Sequence, residues 1–561
     1  MLFLTCMNRP IYYRVFFAII LLYSVVLTIC GQSATNNEKK CGIMGMNAHL
    51  TFPCSINHID ELCKSMAEAG VSMVRLDLYW SPKNMYYQRK DFDNAAYYVT
   101  KYGMDIELNM PQIPIELDEN TLVKWGEAIS YYAKRYDGNT DIDIGNGMSP
   151  QKIHIRYFEI MNEPEHWQNS GLTVEMFYKF VKLSAESIRE VRPKGDALIV
   201  FPGISNQCDF NKKILEYHDE KCKGIKDYID ILNFHYYSAD ERKSKSDLSN
   251  WVSFLHKQTD IKDKPIWMTE YGHSLWDQTE DRQSELLPKQ ALIAASLGVE
   301  KIFYYQYHQF GGNYFSKRQK EDFFGIIDTS IKNSYGSFLR NDGVYKTAIS
   351  DGDGTRKIYI TPRRGNKFSL YTITDSMCRE LNTNGIVIGG RGFTIDSVIL
   401  EKGNGVNAVL FNGGFVIPRK KKTKLLKLEA EKFKNVDKSD KLIVKIKDVA
   451  NQSNQWNGVQ PLKSYYAYKT LAEEIHNANI AHCINNPDGI NIIEWKVEFN
   501  YRYAIWLDND KECFVYVKNG MINRALNMWG GEMSYKGNKI RVNKDVVYLE
   551  SNSKLEFANT Y

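Results

Sequence analysis

Between Cys41 and about Ser330 the chain repeats one pattern: a short apolar, β-branched or aromatic run, then a stretch of helical period. The short runs are Gly42–His49, Ser72–Leu78, Asp105–Met110, Ile155–Met161, Ala197–Pro202, Ile229–His235, Ile266–Thr269 and Lys301–Tyr307. Amphipathic periodicity lies between them, in Ile59–Ala69, Phe92–Tyr102, Asn120–Tyr136, Val174–Val191 and Gln283–Leu297. Strands this apolar need cover on both faces, and strand–helix alternation at roughly thirty-residue intervals builds parallel sheet. Eight such units predict an α/β fold, a closed (β/α)8 TIM barrel rather than an open doubly wound sheet. The longer gap before the fourth run includes Gly138–Pro150, expected as an extended loop at the barrel rim.

Beyond the eighth run the pattern turns β-rich. Gly325-Ile326-Ile327-Asp328-Thr329 has the form of a segment leaving an eighth barrel strand, yet the helix that should follow appears only at Lys463–Glu474. Between them lie strand-like runs at Lys357–Thr361, Lys367–Thr372, Gly385–Ile388, Thr394–Glu401 and Asn407–Phe411. The expected units are a barrel over 41–342 with its final helix at about 462–476, a β-rich insertion or accessory domain over 343–458, and a small C-terminal β-sandwich over 488–556. An insertion after the eighth strand would stand beside the loop-bearing face and shape one end of a cleft. Tandem domains, with the barrel ending near Asp342, are the alternative.

Arg9 and Arg14 precede an apolar stretch from Val15 to Cys30, followed by polar Gly31–Asn36. This is the pattern of a signal peptide over 1–34, short for a spanning helix, and it predicts a secreted or cell-surface protein. An uncleaved anchor is the alternative; Leu27–Cys30 resembles a lipoprotein box, with Ile29 where a small residue is usual. An exported chain admits disulfides, and Cys54 with Cys63, and Cys208 with Cys222, are close enough in sequence to pair; buried free thiols fit the others equally. The net charge of +5 is concentrated in Arg419–Asp448, which does not suggest nucleic acid binding. No spacing resembles a zinc site or a phosphate loop, so no metal, cofactor or obligate protein partner is expected.

Two of the eight runs end in glutamate: Ile160-Met161-Asn162-Glu163-Pro164 and Trp267-Met268-Thr269-Glu270-Tyr271-Gly272. Taken singly, each glutamate reads as a charge favouring a helix N-terminus. Both fall at predicted strand ends, where a barrel builds its sites, and three βα units separate them. Two carboxyl groups brought to one rim are what glycosidic bond cleavage requires. One protonates the leaving oxygen, and the other supports the oxocarbenium-like centre.

Asn162-Glu163-Pro164 after the fourth run and Thr269-Glu270-Tyr271-Gly272 after the seventh resemble clan A of the glycoside hydrolases, retaining enzymes built on (β/α)8 barrels. The resemblance implies that Glu163 is the general acid/base and Glu270 the nucleophile. It further implies that Asn162 hydrogen-bonds the sugar 2-hydroxyl and that Arg75 holds the nucleophile ionised, since an adjacent cation lowers a carboxylate pKa. His235-Tyr236 matches the clan's position that contacts the nucleophile. His49, ending the first run, would share the rim and bind a sugar hydroxyl. Tyr157-Phe158-Glu159 and Trp167 look most like family 39, with family 5 a near alternative, and Trp167 is expected at the substrate site. One departure is Tyr304-Tyr305-Gln306-Tyr307-His308, which lacks the tryptophan that often floors the first subsite; Tyr305 or Tyr307 would replace it. The expected activity is retaining hydrolysis of β-glycosidic bonds in an extracellular oligo- or polysaccharide. The competing class is a non-catalytic carbohydrate-binding or adhesion protein on the same scaffold. Presence of both glutamates with Arg75 and Asn162 argues against it.

Overall fold

The computed structural model describes residues 42–558 apart from 52–55, 81–83, 87, 112–118, 146, 194, 260–262, 276, 310–322, 329–344, 351–355, 361–367, 374, 391–392, 418–424, 449–457 and 486–488. The expected leader over 1–34 and Cys54 lie outside the described residues. Eight parallel strands form the barrel: β1 Met44–Asn47, β2 Met73–Asp77, β3 Asp105–Met110, β4 Tyr157–Ile160, β5 Leu198–Val200, β6 Leu232–Tyr236, β7 Ile266–Tyr271 and β8 Val299–Tyr304. They pair in the order β5-β4-β3-β2-β1-β8-β7-β6. Parallel bridges from Val200 to Ile231 and from Ile204 to Phe234 join β5 to β6 and close the ring.

The helices that cover the barrel are α1 Ile56–Glu68, α2 Arg89–Lys101, α3 Glu119–Arg135, α4 Val174–Val191, α5 Asp209–Glu216, α6 Glu241–Thr259, α7 Glu280–Ser296 and α8 Lys463–Glu474. Strand parity explains the layering. Val74 and Leu76 on β2, Ile106 and Leu108 on β3, and Phe158 and Ile160 on β4 join the core beneath the helices. The alternating partners Arg75, Glu107 and Glu159 are buried polar residues. The barrel interior is therefore apolar only in part, and its charges must be paired internally.

α8 reaches its place after a long excursion. The chain leaves the barrel at Ile327–Asp328, which pairs antiparallel with Gln460–Pro461 on its return. α8 then packs on α7, with Ser464 Oγ donating to Gln283 Oε1 at 2.6 Å and Tyr468 Oη to the Gly45 carbonyl at 3.0 Å. Residues 345–448 carry two four-stranded sheets and the helix Asp375–Asn384 around a core of their own. This body meets the barrel through Val416, which clusters with Leu275 beyond β7, Phe323 beyond β8 and Leu462 before α8.

The C-terminal part is a sandwich of a five-stranded and a three-stranded sheet, and its first strand, Asn479–Asn485, precedes the expected start at 488. Its mixed polar sequence has no clear alternation to announce it. The near-continuous apolar run at 490–495 serves two cores. Ile490 and Ile492 face the three-stranded sheet, while Ile493 and Trp495 face the barrel helices. Trp495 Nε1 donates to the Glu474 carbonyl at the end of α8 at 2.9 Å.

Two expectations fail here. Gly138–Pro150 is not a loop at the functional rim. Asp137–Ile142 and Gln151–His154 form an antiparallel hairpin between α3 and β4, so it belongs to the opposite end of the barrel, where helix-to-strand connections run. Cys208 and Cys222 are both free thiols. Cys63 is a buried free thiol, and burial raises its pKa. Among the described residues no helix is long and apolar enough to cross a membrane.

Candidate active site

The polar interior gathers at the C-terminal ends of β2, β4, β6 and β7. Arg75 on β2 is its hub, and only 4% of its surface is exposed. Its Nε and Nη2 donate to the two oxygens of Glu159 at 2.5 and 3.1 Å. Nη1 donates to Glu270 Oε1 at 2.7 Å and to Asn47 Oδ1 at 3.0 Å, and Nη2 to Asn162 Oδ1 at 2.7 Å. Burial works against the guanidinium charge, but Glu159 and Glu270 hold it protonated well above its usual range. The contact to Asn162 also fixes that amide: its oxygen is occupied, so its NH2 is left to face a ligand.

β7 delivers Glu270 by breaking its own alternation. Met268 pairs with Phe234, but the next matched pair is His235 with Glu270, so Thr269 is an extra residue in the register. Such a bulge re-aims side chains beside functional sites. Here it turns Thr269 and Glu270 both inward, and Tyr271 outward onto α7 through a 3.3 Å hydrogen bond to the Leu287 carbonyl. Thr269 Oγ1 and Asn233 then fix the edge of the His235 ring, with Oγ1 3.1 Å from Nε2.

Glu163 lies three residues past β4 in a left-handed conformation, φ 45° and ψ 64°, where it caps a 3-10 turn that begins at Pro164. Met161 also has positive φ, 74°. Non-glycine residues in this region cost about 1–3 kcal/mol each and persist where the surroundings over-determine them. Backbone hydrogen bonds from Met161 N to the Met110 carbonyl and from Glu163 N to the Gly203 carbonyl, both 3.0 Å, do so here. The result aims Glu163 Oε1 at His235 Nδ1, 2.9 Å away, with Glu270 Oε2 3.5 Å from the same nitrogen.

His235 stands between the two carboxyl groups. Burial opposes charge on His235, but Glu270 and the hydrogen-bonded Glu163 outweigh it and raise the imidazole above its ordinary pKa. Burial likewise opposes ionisation of Glu163, yet the His235 hydrogen bond and charge hold its carboxyl below the ordinary value. Deeper in the barrel Glu107, wholly buried, is driven well above the carboxylate range by burial and then by the charge of Glu159. The hydrogen bonds of Arg75 go to Glu159 and Glu270 instead.

The expected site residues separate into three groups. Arg75, Asn162, Glu163, His235 and Glu270 converge. His49 shares the rim, with Nδ1 3.3 Å from Asp77 Oδ2 and Nε2 3.3 Å from the Tyr305 hydroxyl. Tyr305 rather than Tyr307 borders the cleft, beside Tyr237 and Phe324 at ring distances of 6.3 and 5.4 Å. Tyr307 is buried and donates to Ser65 Oγ at 2.6 Å. Trp167 packs half-buried against the barrel core. Tyr236 does not reach Glu270: parity points it outward, and its hydroxyl lies 3.5 Å from Asp247 on α6. Tyr237, one residue on, donates to Glu270 Oε2 at 2.6 Å. Tyr237→Phe should lower kcat/KM roughly ten- to a hundred-fold, the value of one charge-assisted hydrogen bond, while Tyr236→Phe stays within about three-fold. Steady-state kinetics on the two variants checks this; equal effects would contradict the assignment.

Glu163, His235 and Glu270 offer donor atoms within 4.8 Å of one another, the group among the described residues with metal-binding spacing. Arg75 and Tyr237 occupy both Glu270 oxygens, and a fixed guanidinium repels a cation, so the trio is suited to proton handling instead.

The sequence pattern of the cellulase family (glycosyl hydrolase family 5) matches residues 34–311. A family 39 glycoside hydrolase from the gut symbiont Bacteroides cellulosilyticus WH2 is similar in structure, with TM-score 0.52, 13% identity, and 90% of this chain and 80% of that chain covered. A family 30 endoxylanase from Clostridium papyrosolvens C71 aligns with TM-score 0.48, 10% identity, and coverage of 91% and 96%. No curated protein sequence matches the chain. The barrel shares its fold with the family 39 glycoside hydrolase, a member of the class to which the glutamate motifs point.

Proposed function

We propose that this clan A glycoside hydrolase cleaves β-glycosidic bonds of an extracellular oligo- or polysaccharide by double displacement, with retention of configuration. The observation that carries the reading is the approach of Glu163 and Glu270 oxygens to within 4.8 Å, bridged by one imidazole. Retaining enzymes hold their carboxyl groups about 5–5.5 Å apart, whereas inverting ones need about 6.5–9.5 Å to admit a water. Glu270, hydrogen-bonded by Arg75 and Tyr237, attacks the anomeric carbon. Glu163 passes its proton to the leaving oxygen and then withdraws one from the incoming water. The Asn162 amide is placed to meet the sugar hydroxyl next to the reacting carbon.

The 345–448 body, docked beside the ends of β7 and β8, supports a cleft framed on one side, as a polysaccharide chain would need. Export rests on the leader pattern alone. The reading is tested by incubating the wild type with aryl β-glycosides and with plant, microbial and animal polysaccharides, and following released sugar. Turnover of at least one class is expected. Binding of a glycan without turnover would favour the non-catalytic class.

A further inference from the structure

The turn that Glu163 caps buries one charged side chain of its own, and the mechanism does not use it. In Pro164–Ser170 only Pro164 and Glu165 are buried, and Glu165 is 6% exposed. Its Oε1 accepts the Ser205 backbone N–H at 2.6 Å and the Ser205 hydroxyl at 2.7 Å, with Asn206 Nδ2 3.5 Å away. Its Oε2, equally buried, has no hydrogen-bond partner among the described residues. A carboxyl buried with one oxygen unsatisfied carries a desolvation penalty, and such penalties persist where a site needs the geometry they hold. What Glu165 holds is the loop after β5. There the Gly203 carbonyl accepts from Glu163 N at 3.0 Å, the Ile204 carbonyl accepts from His235 N at 2.9 Å, and Ser205 is gripped by Glu165. The two loops are therefore tied twice, by backbone at Glu163 and by side chain two residues on. No side-chain cap bond holds the start of the turn, so the second tie is what stops it pivoting about the first.

We propose that Glu165 is a positioning residue for the general acid/base: by clamping Ser205 it fixes the left-handed turn from which Glu163 reaches the leaving oxygen. This rests on the assignment of Glu163 made above. No proton passes through Glu165, which acts only on where Glu163 stands. Glu270 is held separately, by Arg75 and Tyr237, so loss of the clamp leaves the nucleophile in place. A misplaced acid matters only where an acid is needed. A poor leaving group must be protonated as its bond breaks, whereas an activated one departs as an anion. kcat/KM reports this first step, so the loss should fall on the poor leaving group alone. A merely structural role would lower both substrates alike.

The test uses the full chain with two aryl β-glycosides, one with a poor and one with an activated leaving group. Glu163→Gln is the control, and it should lose far more activity on the poor leaving group. If it does not, the acid/base assignment fails and the role of Glu165 falls with it. Given that control, Glu165→Ala should lose about ten- to a hundred-fold in kcat/KM on the poor leaving group and less than about three-fold on the activated one. Glu165→Gln keeps an acceptor for Ser205 and should return to within about five-fold of wild type on the poor leaving group. Ser205→Ala removes one of the two short bonds and should lose about two- to five-fold with the same selectivity. Should Glu165→Ala fail to fold, Ser205→Ala decides in its place. Equal losses on the two substrates, no loss on either, or a Glu165→Gln variant as impaired as Glu165→Ala overturns the proposal and leaves the assignment of Glu163 standing.

Discussion

Replacing Glu270 with alanine is expected to lower kcat/KM by roughly four to six orders of magnitude while leaving the barrel folded. The carboxylate is the atom group that would bond to the sugar, and no neighbour can replace it. In the proposed mechanism Glu163 serves the leaving group; Glu159 is tied to Arg75 below, and burial pushes the Glu107 carboxyl well above its ordinary pKa. Folding should survive because Arg75 keeps its two bonds to Glu159 and those to Asn47 and Asn162. The pair of measurements is kinetics on the substrate found by the glycoside panel and circular dichroism on both proteins. Activity within ten-fold of wild type, in a folded variant, would remove Glu270 from the mechanism.

Gly203→Ala should cost about a hundred- to a thousand-fold in kcat/KM, an effect out of proportion to one methyl group. A Cβ at this position would fall 1.9 Å from His235 Nε2 and 2.3 Å from its Cδ2. The ring has no room to retreat, because Thr269 Oγ1 and the Glu163 carboxyl bracket it. Gly203 is also a backbone keystone. Its N–H donates to Glu159 Oε1 at 2.9 Å and its carbonyl accepts from Glu163 N at 3.0 Å. One substitution would displace the imidazole between the two glutamates and strain the turn that carries Glu163. A misplacement near 1 Å in a reacting group costs about a hundred-fold. Overpacking should also lower stability by about 1–3 kcal/mol, readable as a reduced denaturant midpoint. Unaltered kinetics and midpoint would mean that His235 is not held where Gly203 leaves space for it.

The eight strands were legible because a parallel barrel strand buries both faces and so announces itself as an apolar run. Glu163 and Glu270 were legible because each ends such a run. Tyr237 was not. Choosing between Tyr236 and Tyr237 requires strand parity at the end of β6, and the bulge at Thr269 that brings Glu270 within reach leaves no mark in the sequence. Glu159 and Glu107 were visible as charges inside apolar strands, a pattern that demands a buried partner, and Arg75 with the same parity on β2 was available to supply it. Glu165 reads in sequence as a surface charge of a helical turn; only the fold buries it against the loop after β5. Asp137–Ile142, whose residues are largely polar, gave no strand signal, and its pairing with 151–154 decided its structure. Cys208 and Cys222 show the limit of nearness along the chain, since both remain free thiols.

The central claim is a covalent sugar on Glu270. It is tested most directly by incubating the wild type with a 2-deoxy-2-fluoro glycoside, carrying an activated leaving group, of the sugar that the panel identifies. The enzyme is then quenched, its intact mass measured, and the modified peptide mapped. The account predicts stoichiometric addition of one fluorosugar on the peptide bearing Glu270, with none on Glu270→Ala. Turnover of the parent glycoside without any adduct, or an adduct on a different carboxylate, would contradict it.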